Sequence, residues 1–294
     1  MLALQHAAVV ELLTVILMKH LHTIIPALYL ALVACTDTPE PATRRLVVEG
    51  RFDSDGYPDV IVTLSLPADG SESELAEALM RWATVTVTDD DTGREVILTG
   101  APSRGHFPPY HYYTFDMRGK PGHTYTLRAR YRDMLARATA TMAAPTHIDS
   151  VRPRPVDSNP RLRSVEVYFT TPDDCPAYYH VSTRLVGQDR RPLPATLGVI
   201  EAVEPRRPMC ITAMRAKTST DTIDFTPYFP VGSIVDVRLE RVSPEVYEFW
   251  RMFSNTALFG ASELFNSSFS LPSNISGGYG IWSVAGTSAA TVEL

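Results

Sequence analysis

The sequence predicts a mostly β protein that contains two β-sandwich-like domains, of the immunoglobulin or prealbumin type, and one or two short helices. Two observations predict this class. Short segments with alternating apolar and polar side chains recur along the chain, and turns rich in Gly and Pro separate them. In addition, the 294 residues are 45% hydrophobic, which is enough for two domains that each bury a core.

About seven short strands are predicted between residues 45 and 145, a number typical of one β-sandwich. They are the segments 46–50, 60–66, 84–88, 95–98, 112–116, 124–131 and 136–142. One insertion departs from this pattern. Ser71 and Glu74 form a capping box, and apolar residues with helical spacing follow them, so the sequence predicts a helix over residues 71–83 that closes one end of the sandwich.

The second domain is predicted over residues 146–294 and begins after a Pro-containing hinge. Its strands are predicted at 148–151, 164–169, 177–185, 234–239 and 281–284. Ser243 is a preferred N-cap residue and Pro244 fits the first turn of a helix, so a helix is predicted near 244–257.

The N-terminal segment has the pattern of a secretory signal peptide. The positive charge of Lys19 precedes an apolar run over residues 21–34, and Cys35 follows directly. The last four residues of this pattern, Leu-Val-Ala-Cys, resemble the bacterial lipobox, in which the cysteine thiol is diacylated and becomes the new N-terminus. We therefore interpret residues 1–34 as a signal peptide with its true start at Met18, and Cys35 as the site of lipidation.

Lipidation at Cys35 would anchor the protein to a membrane by acyl chains while its body stays in water. The polar, Pro-containing residues 35–44 are the predicted tether. Whether the protein faces the periplasm or the cell surface stays open. The net charge of −6 argues against nucleic acid as a partner, because such binding needs a basic face.

Two further cysteines, Cys175 and Cys210, lie in the predicted second domain. An oxidising compartment permits a disulfide between them. Pairing requires Cα atoms within about 7 Å, which spacing along the chain does not reveal. A disulfide and two free thiols therefore both remain open. Neither cysteine lies in a motif of a catalytic nucleophile.

The densest aromatic segment is the candidate recognition patch for a sugar or a protein. Its residues are His106, Phe107, Tyr110, His111 and Tyr112. The alternative, which we favour, is a loop that packs its tyrosines into the edge of the first sandwich. No third ligand stands at a typical spacing from the two histidines, so no metal site is expected there.

No catalytic residues, cofactor or metal are predicted. The chain lacks the motifs of a nucleophile elbow, a zinc protease helix and a phosphate-binding loop. The run Asp89–Asp91 lacks the spacing of a calcium-binding loop and is interpreted as a hairpin turn. We therefore expect that the protein is not an enzyme.

Three segments together resemble a known family. They are 45–50, 122–127 and the tail 273–282, in which Asn274, Gly277, Gly278 and Gly280 form the most particular motif. In this order the chain resembles the Bacteroidota lipoprotein family of the domain of unknown function labelled "four-two-four-nine". The resemblance implies two β domains, no established catalytic residues and a gene beside a TonB-dependent outer-membrane receptor. The glycines of the tail fit either a tight crossing before the last strand, which we favour, or a ligand-contacting loop.

These observations lead to one main hypothesis and two alternatives. The main one is a non-enzymatic accessory lipoprotein of the outer membrane that works with a TonB-dependent receptor in the capture or uptake of a nutrient, with its ligand unknown. The first alternative is a fimbrillin-like structural lipoprotein that polymerises by strand exchange, with Arg44–Arg45 as a cleavage site. The second alternative is a glycan-active enzyme.

Overall fold

The main structural feature of the protein is a single eight-stranded sheet, on which the other elements pack. The computed structural model describes residues 44–66, 78, 80–103, 109–216, 225–259 and 271–294, with the side chains of 255–259 outside the description. Over these residues the chain is mostly β with one helix, and its large sheets are sandwich-like, which confirms the predicted fold class. Among the same residues, no helix is long and apolar enough to cross a membrane.

The described elements follow the chain in this order. They are β1 (Leu46–Asp53), β2 (Asp59–Leu64), β3 (Thr84–Asp89), β4 (Arg94–Ile97), β5 (Thr99–Pro102), β6 (Tyr110–Tyr113), β7 (Thr124–Tyr131), β8 (Met134–Thr141), β9 (Ile148–Val156), β10 (Asn159–Thr170), β11 (Ala177–Leu185), β12 (Leu193–Ala202), β13 (Pro208–Ala213), β14 (Phe229–Pro230), β15 (Ile234–Val242), α1 (Pro244–Phe259) and β16 (Gly278–Glu293).

The long final strand β16 joins the two halves of the large sheet. The strand order of this sheet is β12-β11-β15-β16-β1-β2-β6-β5. The first half of β16 pairs in parallel with β1, from Leu46 opposite Gly278 onward. Its second half pairs antiparallel with β15, from Arg241 opposite Gly286 to the end of the strand. The last strand of the chain is therefore central in the sheet and hydrogen-bonds to strands from both ends of the sequence.

Two smaller sheets pack against one face of this large sheet and form two cores. The sheet β4-β3-β7-β8 covers β1, β2 and the first half of β16, and Trp282 is buried in this first core. The sheet formed by β13, β10, β14 and β9 covers β11 and β15, and Ala290 and Val292 pack against this second core. Because successive side chains of a strand point to opposite faces, these even-numbered residues of β16 place both cores on the same side of the large sheet.

The two cores lie on either side of residue 145, where the sequence predicts the domain boundary, with one addition. Ile275, Trp282 and Val284 come from the C-terminal end of the chain but pack in the first core. For Trp282 and Val284 the reason is the parallel pairing of β16 with β1, which turns their side chains toward the first small sheet, whereas Ile275 precedes β16. The first sandwich is therefore completed by residues outside the range 45–145.

Several boundaries differ from the predictions. The predicted strand at 112–116 lies at 110–113, and the last strand spans 278–293 rather than 281–284, while β5, β12, β13 and β14 were not predicted. Most of the predicted helix 71–83 lies outside the described residues. Ala78 is helical, but Met80–Ala83 is irregular, and the Tyr112 hydroxyl donates to Met80 O (2.8 Å) and accepts from Ala83 N (3.0 Å) there.

Candidate ligand-binding cleft

The face of the large sheet opposite the two cores forms a cleft of about 740 Å³. Its floor consists of side chains from β1, β2, β11, β15 and β16. Helix α1 forms one wall, and residues 190–197 form another part of the lining. Strand alternation explains the floor, since β15 turns Val237 and Leu239 into the second core and Arg238 and Glu240 toward the cleft.

Two ion pairs cross β16 in opposite directions on this floor. The Arg51 guanidinium of β1 reaches Glu240 of β15, and Arg238 of β15 reaches Asp53 of β1, with Nη2 and Oδ2 2.6 Å apart. Arg51 also donates from Nε to Asp53 at 3.0 and 3.1 Å. On the same face β16 carries small residues such as Ser283, which leave room for the long arginine side chains to lie across the strand.

Glu240 is the centre of this network and is almost completely buried. Its carboxylate contacts His180 Nδ1 at 2.8 Å and accepts from Ser182 Oγ at 2.9 Å, besides its pair with Arg51. Burial alone would raise the pKa of Glu240. The charge of Arg51, the bond from His180 and the charge of Arg238 outweigh burial and lower this pKa to about 2. Glu240 is therefore ionised throughout the neutral range.

His180 presents the one buried polar side-chain atom without a hydrogen-bond partner among the described residues. Nδ1 of the ring is engaged with Glu240, and Nε2 is buried without a partner. The ring also stacks on Trp250 of α1, with 4.5 Å between ring centroids and 13° between planes. His180 lines the cleft, and an unpartnered polar atom in such a place is typical of a site that binds a polar ligand group.

Helix α1 supplies an apolar wall to the cleft. The helix begins as predicted, since Ser243 Oγ accepts from Val246 N at 3.4 Å and Pro244 occupies the first turn. Phe249, Trp250 and Phe253 line the cleft, and the ring of Trp250 meets the two phenylalanines edge-on at 5.3 and 5.5 Å. Phe253 is 41% exposed, so this wall offers aromatic surface to a ligand.

The predicted recognition patch does not form this cleft. Tyr112 is buried in the first core, so it is not available to a partner, which corrects its place in the predicted patch. Tyr110 packs beside it at 5.6 Å, and His111 Nδ1 lies 2.7 Å from Asp59 Oδ1. His106 and Phe107 lie outside the described residues. The packing of the two tyrosines resembles the favoured interpretation, a segment at the edge of the sandwich.

The tail motif brings the backbone of β16 close to β1. The Asn274 side chain accepts from Trp282 N (2.8 Å) and donates to Trp282 O (2.9 Å). Gly280 has a φ of +112°, and a Cβ at this position would lie 2.0 Å from Val48 O. Gly277 and Gly278 approach the backbones of β8 and β1 in the same way. The motif therefore makes a tight crossing, and its glycines contact neighbouring strands instead of lining the cleft.

Cys175 and Cys210 are free thiols in the structure, so the disulfide that the sequence left open is not formed. Their side chains have different surroundings. Cys175 packs against the second core, and its thiol donates to Pro172 O at 3.4 Å. Cys210 is exposed on β13, whose neighbouring residues Met209 and Ile211 face that core. By strand alternation Cys210 therefore points away from the core that Cys175 contacts.

The acidic turn after β3 uses its carboxylates within the fold. Asp89, Asp91 and His123 come within 4.8 Å of one another, a grouping that a metal ion can use. However, Asp89 Oδ1 accepts from two backbone N–H groups of its own turn, and Asp91 Oδ2 accepts from Thr124 N at 2.7 Å. Burial raises the pKa of Asp89, but its bond with His123 and bonds within the turn lower it below the ordinary value. These contacts fit the predicted hairpin turn.

Sequence reasoning missed the residues of the cleft floor. They are Arg51, Asp53, His180, Arg238 and Glu240. A signal was present in β15, where charged residues alternate with buried aliphatic ones, as expected of a strand with one polar face. What that signal lacks is the identity of the neighbouring strands, because Arg51 and Glu240 are 189 positions apart.

Comparison with known proteins gives one clear result. The profile of the family described as "Domain of unknown function (DUF4249)" matches residues 35–291, which is most of the chain. No curated protein matches the chain significantly. The matched segment begins at Cys35, the residue at which the predicted mature protein starts, and ends within β16. The chain therefore belongs to the family of the domain of unknown function DUF4249.

Proposed function

We propose that the protein is a non-enzymatic accessory lipoprotein of the outer membrane that binds a small ligand in the cleft and works with a TonB-dependent receptor in its uptake. The observation that carries the binding role is the cleft itself. It combines an apolar aromatic wall with a few polar groups that converge from the floor, which is the usual composition of a ligand site. The unpartnered Nε2 of His180 adds a specific demand for a ligand atom.

Support for the lipid anchor comes from the sequence and from the family match. The signal-peptide pattern ends at Cys35, and the family match begins at the same residue. The first strand starts at Leu46, so the polar residues between the two provide the tether of this proposal. The receptor as partner follows from the family resemblance, which includes Bacteroidota origin and genes beside TonB-dependent receptors.

The chemistry of the floor argues for binding over glycan hydrolysis. A glycosidase needs a carboxylic acid whose pKa is raised so that it can protonate the leaving group. Glu240 has the opposite property, because Arg51, His180 and Arg238 hold its pKa well below the ordinary value. Asp53 is likewise engaged by two arginines. These acids are suited to fixing arginine side chains in place.

The anchor is tested by fractionation of the host cell. We expect the wild-type protein in the outer-membrane fraction with acyl chains on Cys35, detected by mass spectrometry. The Cys35→Ala variant should move to the soluble fraction, whereas a Cys210→Ala control should stay with the membrane. Membrane retention of the Cys35→Ala variant would contradict the lipid anchor.

The receptor partner is tested by a pull-down of the epitope-tagged lipoprotein from detergent-solubilised outer membrane. We expect a TonB-dependent receptor in near-equal amount, identified by mass spectrometry. Recovery of copies of the lipoprotein alone would reject the accessory role. That result would instead favour the fimbrillin-like alternative, which negative-stain microscopy would then test by the presence of filaments.

A further inference from the structure

We infer that the ligand of the cleft is a hydroxylated ring compound that carries a carboxylate. This inference rests on the proposed binding role and adds the chemical class of the ligand. Three independent features of the described residues each require one part of such a molecule. They are the donors of the two floor arginines, the aromatic wall of α1 and the unpartnered Nε2 of His180.

The two floor arginines favour a ligand that has an anionic or acceptor-rich group. The side chains of Arg51 and Arg238 are 33% and 25% exposed, while those of their acidic partners Asp53 and Glu240 are 11% and 4% exposed. Arg51 uses Nε and Nη2 in its ion pairs, and Arg238 uses Nη2. Their remaining N–H groups are not buried, so among the described residues these donors open into the cleft. Guanidinium groups held in this way suit a carboxylate.

The positive and negative side chains that line the cleft are equal in number, so the position of each charge determines which kind of ligand is favoured. Arg190 and Arg191 also line the cleft, as do Glu49 and Asp59. The two floor acids are consumed by ion pairs beneath the arginines, and Asp59 is bound by His111. A cation would have to compete with these arginines for their acids, and among the described lining residues only Glu49 offers a carboxylate outside an ion pair. An anion meets N–H groups that have no competing partner.

The aromatic wall of α1 favours a ligand that contains a ring. Trp250 and Phe253 form a T-shaped pair with centroids 5.5 Å apart, and Phe253 is partly exposed. Aromatic surfaces of this kind stack on the apolar face of a sugar ring or on another aromatic ring. A linear acid such as succinate would satisfy the arginines but leave this surface uncovered.

The histidine favours a ligand with a hydroxyl group. Nδ1 of His180 is engaged with Glu240, and Nε2 has no hydrogen-bond partner among the described residues. A ligand hydroxyl can donate to this nitrogen or accept from it. Uronic acids and hydroxybenzoates both combine a ring, a carboxylate and hydroxyl groups, and these two sources are distinguished by the choice of probes.

The test is calorimetric titration of the full mature lipoprotein in detergent with two pairs of probes. Each pair compares an acid with its neutral counterpart. The pairs are D-glucuronate with D-glucose, and 2,3-dihydroxybenzoate with catechol. We expect one acid to bind at least tenfold more tightly than its neutral counterpart and more tightly than succinate. The pair that shows this difference identifies the source of the ligand.

Variants locate the binding in the cleft. Arg238→Met should weaken binding of the acid at least tenfold, whereas Arg184→Met, on the neighbouring strand and paired with Asp236, should leave it unchanged. Phe253→Ala is a second variant whose partly exposed position makes folding secure, and it should weaken binding of both members of a pair. Equal binding of acid and neutral probes, or no binding by any probe, would overturn the inference.

These outcomes separate the ligand class from the proposed function. Failure of every probe while the receptor still co-purifies would reject the ligand class and leave the accessory role standing. Binding of an acid by a protein that recovers no receptor would support the ligand class and reject the accessory role.

Discussion

Glu240 shows at the level of one residue how a buried charge is kept in this fold. Burying an isolated carboxylate is costly, and such a group usually takes up a proton instead. Here Arg51, His180 and Ser182 each contact the carboxylate, which keeps it ionised. The arrangement ties Glu240 to the pH dependence of stability, because its pKa differs between the folded and unfolded chain.

We expect Glu240 to contribute stability that is lost in acid. Its folded pKa of about 2 lies below its ordinary value of 4.5, so the contribution is complete above that ordinary value and disappears as pH falls through the folded pKa. At about 1.4 kcal/mol per pKa unit this amounts to about 3 kcal/mol. Urea unfolding should therefore show the advantage of wild type over Glu240→Gln shrinking by that order between about pH 5 and pH 2.

The control for this prediction is Glu248→Gln. Glu248 lies on α1, is 44% exposed and pairs with Arg251 at the surface. Its difference from wild type should stay small at every pH, because exposed pairs contribute little. A constant difference between wild type and Glu240→Gln across the same range would contradict the assigned role of Glu240.

A second residue-scale prediction concerns Gly280. A Cβ there would lie 2.0 Å from Val48 O, and the φ of +112° is one that other residues rarely adopt. We expect Gly280→Ala to cost at least about 3 kcal/mol or to prevent folding. Gly93 also has positive φ, at +71°, but nothing lies within 4 Å of its Cβ position, so Gly93→Ala should cost only about 1 kcal/mol. Equal costs in urea unfolding would show that the crossing is less tight than described.

At the scale of elements, the two faces of β16 have different roles, since one packs in the cores and the other belongs to the cleft side of the sheet. Its core-facing residues include the large Trp282, while its opposite face has Ile281 followed by the small Ser283 and Ala285. The two small residues leave space for arginines from the strands on both sides to cross β16. The ion pairs therefore connect β1 with β15, two strands that share no backbone hydrogen bonds with each other.

We expect this connection to appear as a coupling energy. In a double-mutant cycle of Arg51→Met and Glu240→Gln, the double variant should lose less stability than the sum of the single variants, by about 2 kcal/mol. The matched cycle of Arg251→Met and Glu248→Gln removes an exposed pair within α1 and should give about 0.4 kcal/mol. A value near zero for the first cycle would mean that the crossing pairs add nothing to the joining of the two strands.

At the scale of the whole molecule, the large sheet makes the two cores interdependent. Both cores pack on one face of it, and β16 contributes side chains to each. Neither sandwich is complete without this strand, whose halves pair with β1 and β15. We therefore expect the two sandwiches to unfold as one cooperative unit.

The test uses Trp282 as a reporter of the first core. The chain has three tryptophans, so Trp82→Phe and Trp250→Phe leave Trp282 alone. In this background Val237→Ala creates a cavity in the second core and should lower the free energy of unfolding by about 2 kcal/mol. We expect the urea midpoint followed by Trp282 fluorescence to shift by the same amount as the midpoint followed by circular dichroism. Val87→Ala in the first core is the control. If Val237→Ala left the urea midpoint of Trp282 fluorescence unchanged, the two sandwiches would be independent domains.

The local features of this protein could be read from its sequence. Strand alternation located most strands, with β7 and β11 at the predicted bounds, and the pair Ser243–Pro244 located the start of α1. These features depend on residues close together in the chain, so periodicity and capping rules reach them. The lipid anchor at Cys35 depends on an equally local pattern and stays a prediction.

The cleft was decided only by the tertiary structure. Its floor joins Arg51 to Glu240 and Asp53 to Arg238 across β16, and no local rule states that the last strand of the chain lies between β1 and β15. The same pairing gives Gly278 and Gly280 their role, since their neighbours are Leu46 and Val48 at the other end of the sequence. The sequence by itself determined most of the strands and which of their side chains share a face. Strand order decided which of those faces meet, because it arises from packing between distant segments.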